Sequence, residues 1–530
     1  MARTPRWLWM IAFLGVFVAP GAVRSDEAQC RVEVPRMGRD EYLRSLSLDL
    51  RGVIPTLDEH DAIAAMDDVP ESLVDEWLSS DEMTSRVVRR HRGLLWPNVE
   101  NVRFVHFARR LGTTGSGAAQ RYWRSSSTIA VPLRGVSPAV PCDDVPATFE
   151  ADGTPHYRVD AATGAHIEGY VEVEPYWAPG TTVHVCAFDA MTNARSPLGR
   201  DCSARESVSD PGCGCGTNLR WCDVQSVQDA LVAAFATDVE RRVAANASEG
   251  EAYTDLFASR RAFVNGPMAF YYRNQLRLWN DVPLEPSSMD VAHLPDLAYS
   301  DATTWVEVEL PDYHAGVLTS PLYLLRFQTN RARANHFYDA FLCQPFQPPA
   351  GGIPVGNEVE ARETDLQRRA GCRYCHAILE PAASHWGRWL TQSAAHLDEE
   401  RFPSFLPECA ECARGEETCS STCNLAYVTR ALSPSEEPYL GMLRSYEFLR
   451  PEHEGYVAEG PMGLVRDGLA DGRFTRCTVR RTAEWLLGRS LAEDEAAWSD
   501  ELASTFVGSD MRYRDVVRAI VTSDTYRRVR

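Results

Sequence analysis

Cys372-Arg373-Tyr374-Cys375-His376 is the pattern in this chain whose residue types and spacing most sharply specify a chemistry. C-x-x-C-H is the attachment site for c-type haem. On the first turns of a helix, two cysteines three apart face the two vinyl groups along one porphyrin edge. Each thiol adds across a vinyl to form a thioether, and the next residue, His376, lies beneath the iron as the proximal imidazole. Gly371, just ahead, lets the backbone approach the ring closely. With 15 cysteines and 13 histidines in 530 residues, a chance match is expected roughly 0.01 times. Two other readings use the same residues. One is a disulfide between Cys372 and Cys375 beside an incidental histidine. The other is a reactive dithiol, although no βαβ pattern flanks the motif.

A sixth iron ligand would come from downstream. Met442, in Leu440-Gly441-Met442-Leu443, and Met462, in Gly460-Pro461-Met462-Gly463, lie at sequence distances a haem fold could close. Methionines near helices are more commonly core filler. His385 and His396 follow the motif too closely to reach the distal face easily, and His385 reads as a packed histidine. An iron left open on its distal side is the remaining expectation.

The other cysteines read differently. Cys409-x2-Cys412-x6-Cys419-x3-Cys423 has spacing that zinc could use, but in an exported chain disulfides are the expectation. Cys213 and Cys215 are expected to pair outward with Cys202 and Cys222. With two cysteines on the haem, thirteen of the 15 remain, so at least one is free or intermolecular.

Export is read from the amino terminus. Arg3 and Arg6 precede an apolar run from Trp7 to Ala19, and Val23-Arg24-Ser25 offers a cleavage site before Asp26. The run is short for a bilayer span, so a removed signal peptide is expected, with a retained anchor as the alternative. No second membrane segment follows, which points to the periplasm or surface of a bacterium.

Charge and composition exclude whole classes. The 54 basic and 74 acidic residues give a net charge of −20, which argues against nucleic acid and anionic membrane as partners. All 54 basic residues are arginine. A chain without lysine cannot perform Walker-A hydrolysis, Schiff-base or pyridoxal chemistry, or kinase-type phosphoryl transfer. Neither H-E-x-x-H nor a G-x-S-x-G elbow is present. No hydrolase, kinase or pyridoxal motif therefore defines an enzyme, and haem redox activity is left open as an expectation.

The elements that position the motif follow from periodicity. Leu43, Leu46 and Leu50 share a helical face that Gly52 ends, and Thr56 with Glu59 forms a capping box for the next helix. Residues 111–222 are richer in Pro and Gly and alternate as strands do, in Tyr170-Val171-Glu172-Val173 and Val183-His184-Val185. Cys142, Cys186, Cys202, Cys213, Cys215 and Cys222 would staple this part. Helical spacing returns at Val227, Ala230, Leu231, Ala234 and Phe235 and continues towards Trp279, with a break at Gly266-Pro267. Tyr513, Val516, Val517, Ile520 and Val521 form a full apolar stripe, with Ser509 or Asp510 as its cap.

Several of these blocks resemble the planctomycete-type cytochrome c proteins and their myxobacterial relatives. Tyr42 to Pro55, followed by Thr56, is similar to their opening signature of leucine, aspartate, leucine, glycine, proline and threonine. His314 to Pro348 is similar to the segment before their C-x-x-C-H, and Cys372 to Trp389 to the motif segment itself. Glu459 to Leu464, Phe474 to Arg489 and Tyr513 to Tyr526 resemble their C-terminal domain. The resemblance covers about half of the chain. It implies an exported haem-c protein with electron transfer as its role, and carries over Cys372, Cys375 and His376 as the haem residues. Many relatives follow the motif with aspartate, proline and glycine, where this chain has Leu379-Glu380-Pro381-Ala382, so the resemblance carries over no distal ligand.

The reading is a multidomain, mainly α protein with a β-rich disulfide-stapled insert and a cytochrome-c-like helical haem segment. Its expected parts are a leader at 1–25, a helical domain at 26–110, the β-rich insert at 111–222 and a helical domain at 223–300. The haem-motif domain at 301–400, a Cys-rich insert at 401–435 and a helical domain at 436–530 complete it. The expected function is electron transfer through one covalent haem c to a redox partner protein that the sequence does not name. The alternatives are a disulfide-rich structural or ligand-binding envelope protein without haem, and a haem enzyme with an open distal site.

Overall fold

In the first four helices, the apolar spacing of the sequence becomes a buried face. The computed structural model describes residues 35–95, 104–126, 133–135, 139–278, 291–347, 352, 363–392, 394–415, 418–445 and 450–528. The expected leader at 1–25 and Cys30 lie outside them. α1 (Arg39–Leu46) runs into one π turn that ends at Gly52, whose φ of 78° suits a residue without Cβ. Leu43, Leu46 and Leu50 are fully buried. α2 (Leu57–Ile63) opens on the expected capping box. The Glu59 amide donates to Thr56 Oγ1 at 3.2 Å, and the Thr56 amide to Glu59 Oε2 at 2.7 Å. α3 (Glu71–Leu78) and α4 (Asp81–Leu95) follow, α4 burying Met83, Val87, His91 and Leu95.

The insert contains short strands: β1 (Leu111–Thr114), β2 (Arg121–Arg124), β3 (Arg158–Val159), β4 (His166–Ile167), β5 (Tyr170–Val173) and β6 (Val183–Cys186). Four form a sheet in the order β1-β2-β6-β5, with β2 and β6 parallel, while β3 and β4 pair separately. Cys142–Cys186, Cys202–Cys213 and Cys215–Cys222 are bridged, as the staple reading expects. The insert also buries a charge network. Arg134 reaches both Glu168 oxygens at 3.0 Å and Asp189 at 2.5 Å, and Arg124 donates to Asp189 at 2.7 Å. Burial opposes ionisation of Asp189, but Arg134 and Arg124 outweigh it and hold the carboxyl below its usual range.

α5 (Gln225–Glu249) carries the expected face and ends at Gly250. α6 (Asp255–Ala258), β7 (Arg261–Val264) and α7 (Gly266–Asn274) come next. The helical run therefore breaks at Gly250, and Gly266-Pro267 opens a helix instead of interrupting one. Asn265 Oδ1 caps it by accepting from the Met268 amide at 3.2 Å, and Pro267 occupies the first turn, where its missing N–H is no loss. A Cβ on Gly266 would lie 1.9 Å from the Ala298 carbonyl oxygen. β8 (Val306–Glu309) pairs antiparallel with β7.

The remaining described helices are α8 (Pro321–Arg326), α9 (Asn330–Leu342), α10 (Arg373–Ser384), α11 (Pro407–Arg414), α12 (Ser421–Ala426), α13 (Glu454–Glu459), α14 (Pro461–Ala470), α15 (Arg473–Leu487), α16 (Ala496–Gly508), α17 (Tyr513–Val521) and α18 (Asp524–Arg527). All five stripe residues of α17 are buried. Its N-cap is Arg512, not Ser509 or Asp510. Asp510 and Met511 have φ of 56° and 54°, because the link from α16 turns left-handed there.

One apolar core runs from Met37 to Tyr526 and joins the two ends of the described chain. Tyr42 donates to the Val521 carbonyl at 2.9 Å, and Tyr526 to Asp49 at 2.6 Å. Smaller cores lie under the insert sheet and in the Cys-rich part, where Cys409–Cys423 and Cys412–Cys419 are bridged. The fold is mainly α with small sheets, and the described residues form six disulfides. Among the described residues no helix is long and apolar enough to cross a membrane.

Candidate functional site

The C-x-x-C-H residues occupy the first turn of α10. Gly371, at φ 80°, turns the chain into the helix, and Cys372 is its N-cap residue. The His376 amide donates to the Cys372 carbonyl at 3.0 Å, so thiols three apart rise from one turn. Cys372 and Cys375 are half-buried and unpaired, while the twelve other described cysteines all form disulfides. Tyr374 and Ile378, beside them, are exposed. From Leu379 onward α10 enters the core.

His376 is held by a residue that sequence reasoning missed. Its Nδ1 lies 2.5 Å from Glu380 Oε1, one helical turn on. Glu380 is fully buried. Its Oε1 also accepts from Arg331 Nε of α9 at 2.6 Å, and its Oε2 is buried with no hydrogen-bond partner. His376 Nε2 makes no hydrogen bond among the described residues. The signal available in the sequence was the i, i+4 spacing of His376 and Glu380; nothing in it pointed to Arg331. Two thiols on one turn, with an imidazole anchored through Nδ1, fit a covalently attached haem whose iron takes Nε2.

The two methionine candidates lie elsewhere. Met442 bridges to Phe405 in the Cys-rich part and packs against the small core that holds Cys409 and Cys423. Met462 is the second residue of α14 and lines a cleft of about 570 Å³ with His385, Tyr313, His314, Trp389 and His396. No motif residue lines that cleft. The Tyr313 and His396 rings stack at 3.9 Å. Burial pushes His396 down to about 4. His385, which caps α10, packs as expected: Nδ1 donates to the Gly460 carbonyl at 2.8 Å, and burial holds its pKa below the ordinary value. A Cβ on Gly463 would meet its ring at 2.4 Å. Cys409, Cys412, Cys419 and Cys423 are disulfide-bonded, which removes them as thiolate ligands for zinc.

Residues 455–526, which span α13 to α18, match the family described as "Protein of unknown function (DUF1585)". That match is confined to the C-terminal part, over the blocks from Glu459 to Tyr526 that the sequence singled out. Searches of the curated proteins and of the solved structures find no match to the chain.

Proposed function

We propose that the chain is an exported c-type haem protein that carries one haem c on Cys372, Cys375 and His376 and serves electron transfer with a partner protein in the periplasm or at the cell surface. The observation that carries this reading is the state of the cysteines. Twelve described cysteines are bridged, and the two left as thiols are those of C-x-x-C-H, one turn apart on α10. The bound group would supply reversible one-electron chemistry. The chain's own residues do the rest: two thioethers fix the ring, His376 presents Nε2, and the buried end of α10 keeps the motif rigid. The six disulfides among the described residues suit an oxidising compartment. The resemblance of Cys372 to Trp389 to the cytochrome c segment points the same way.

The test is a pyridine haemochrome assay on protein made with cytochrome c maturation machinery. Haem should survive denaturation and acid-acetone extraction, and disappear in the Cys372→Ala, Cys375→Ala double variant. Matured protein without a Soret band refutes the reading. The rival, a ligand-binding envelope protein without haem, is favoured by the cleft around Tyr313 and His396. Ready binding of carbon monoxide to the reduced protein, with Met442→Ala and Met462→Ala leaving the spectrum unchanged, would instead favour a haem enzyme open on its distal side.

A further inference from the structure

His376 and Arg331 converge on one carboxylate, that of Glu380. Glu380 lies four residues along α10, where helix geometry brings its side chain beside the imidazole. It is fully buried, and its Oε1 accepts from both His376 Nδ1 at 2.5 Å and Arg331 Nε at 2.6 Å. Its Oε2 is buried without a partner. A buried carboxylate needs compensation, and here His376 and Arg331 supply it through the same oxygen. The apolar side of α10 carries such a group only at a cost in folding energy. That cost makes sense if the carboxylate acts on the histidine.

We propose that Glu380 is a positioning residue for His376: it fixes the proton on Nδ1, aims Nε2 at the iron, and sets a low reduction potential for the haem. The assignment rests on the haem reading above. A carboxylate that accepts from Nδ1 fixes the tautomer and ring orientation and raises the basicity of the other nitrogen. A stronger donor stabilises ferric iron over ferrous, and hydrogen bonding of this kind is one of the protein's levers on haem potential. Arg331 opposes the effect by drawing on the same oxygen. The two residues therefore act on the potential with opposite signs.

The experiment compares haem-loaded wild type, Glu380→Gln and Arg331→Leu by potentiometric titration, and by the Nδ1 proton resonance of His376 in the reduced protein. Glu380→Gln keeps the shape and an acceptor oxygen but removes the charge. It should raise the ratio of reduced to oxidised haem about tenfold at fixed electrode potential, a shift of about 59 mV for one electron. Arg331→Leu should lower that ratio. In Glu380→Gln the Nδ1 proton should move upfield, which a distant charge effect would not produce. If Glu380→Gln does not hold its fold, Arg331→Leu still decides the sign. Haem-loaded variants at the wild-type potential with an unmoved Nδ1 resonance overturn the role of Glu380 and leave covalent haem standing. Matured wild type without covalent haem overturns the haem reading first.

Discussion

Removing the disulfide between Cys343 and Cys477 should destabilise the protein more than removing any other described bridge. Cys343 ends α9 and Cys477 lies within α15, with Cα atoms 5.4 Å apart and a sequence separation of 134. The enclosed loop contains the C-x-x-C-H motif and the Cys-rich part. Loop-closure entropy grows with the logarithm of loop length, so this bridge contributes about 5 kcal/mol by constraining the unfolded chain. Cys412–Cys419 closes a separation of only 7 residues, and the same relation gives about 2 kcal/mol. Folded-state contacts of α15 with α9 and the residues just after it should survive the loss. Arg481 donates to the Asp339 carbonyl at 2.6 Å, and Arg473 to Gln344 at 2.9 Å, independently of the sulfurs. The assay is urea unfolding of the Cys343→Ala, Cys477→Ala variant and the Cys412→Ala, Cys419→Ala variant, with stability taken from midpoint and slope. If the long-loop variant loses no more than the short-loop variant, the entropic argument is refuted.

Acid should destabilise the fold through buried neutral histidines. Burial pushes His91, His336 and His396 down to about 4. The unfolded chain therefore takes up protons first: stability is fully present above pH 6.5 and falls as pH drops towards 4. For His91, which is 2% exposed, the loss by pH 4 is about 3 kcal/mol; urea midpoints that stay level between pH 7.5 and 4.5 would contradict this. Arg134→Met leaves Glu168 and Asp189 buried without their shared cation, and should cost about 3–5 kcal/mol by denaturant titration. A loss under about 1 kcal/mol would mean that water or rearrangement replaces the arginine.

Local pattern was legible wherever one element decides it. The face of Leu43, Leu46 and Leu50, the Thr56 capping box and the α17 stripe follow from a 3.6-residue period, which needs no knowledge of neighbours. So does the placement of Cys372, Cys375 and His376 on one helical turn. The stapled insert was legible because alternation and cysteine density are also local. Caps and breaks were less so. Gly266-Pro267 reads equally as the end or the start of a helix, and only Asn265 and the nearby Ala298 carbonyl decide it.

Tertiary structure decided what depends on separation along the chain. Arg331 and Glu380 are 49 residues apart, and only the packing of α9 on α10 gives the carboxylate its second partner. The cleft joins Tyr313, His396 and Met462, which no sequence period connects. It takes Met462 to one place, while the Cys-rich core takes Met442 to another. The Cys343–Cys477 bridge and the contact of Tyr42 with Val521 are likewise invisible to spacing. Short-range order follows from backbone geometry and side-chain period, which the sequence states directly. Long-range contacts follow from which buried faces fit together, and that is settled only when the core closes.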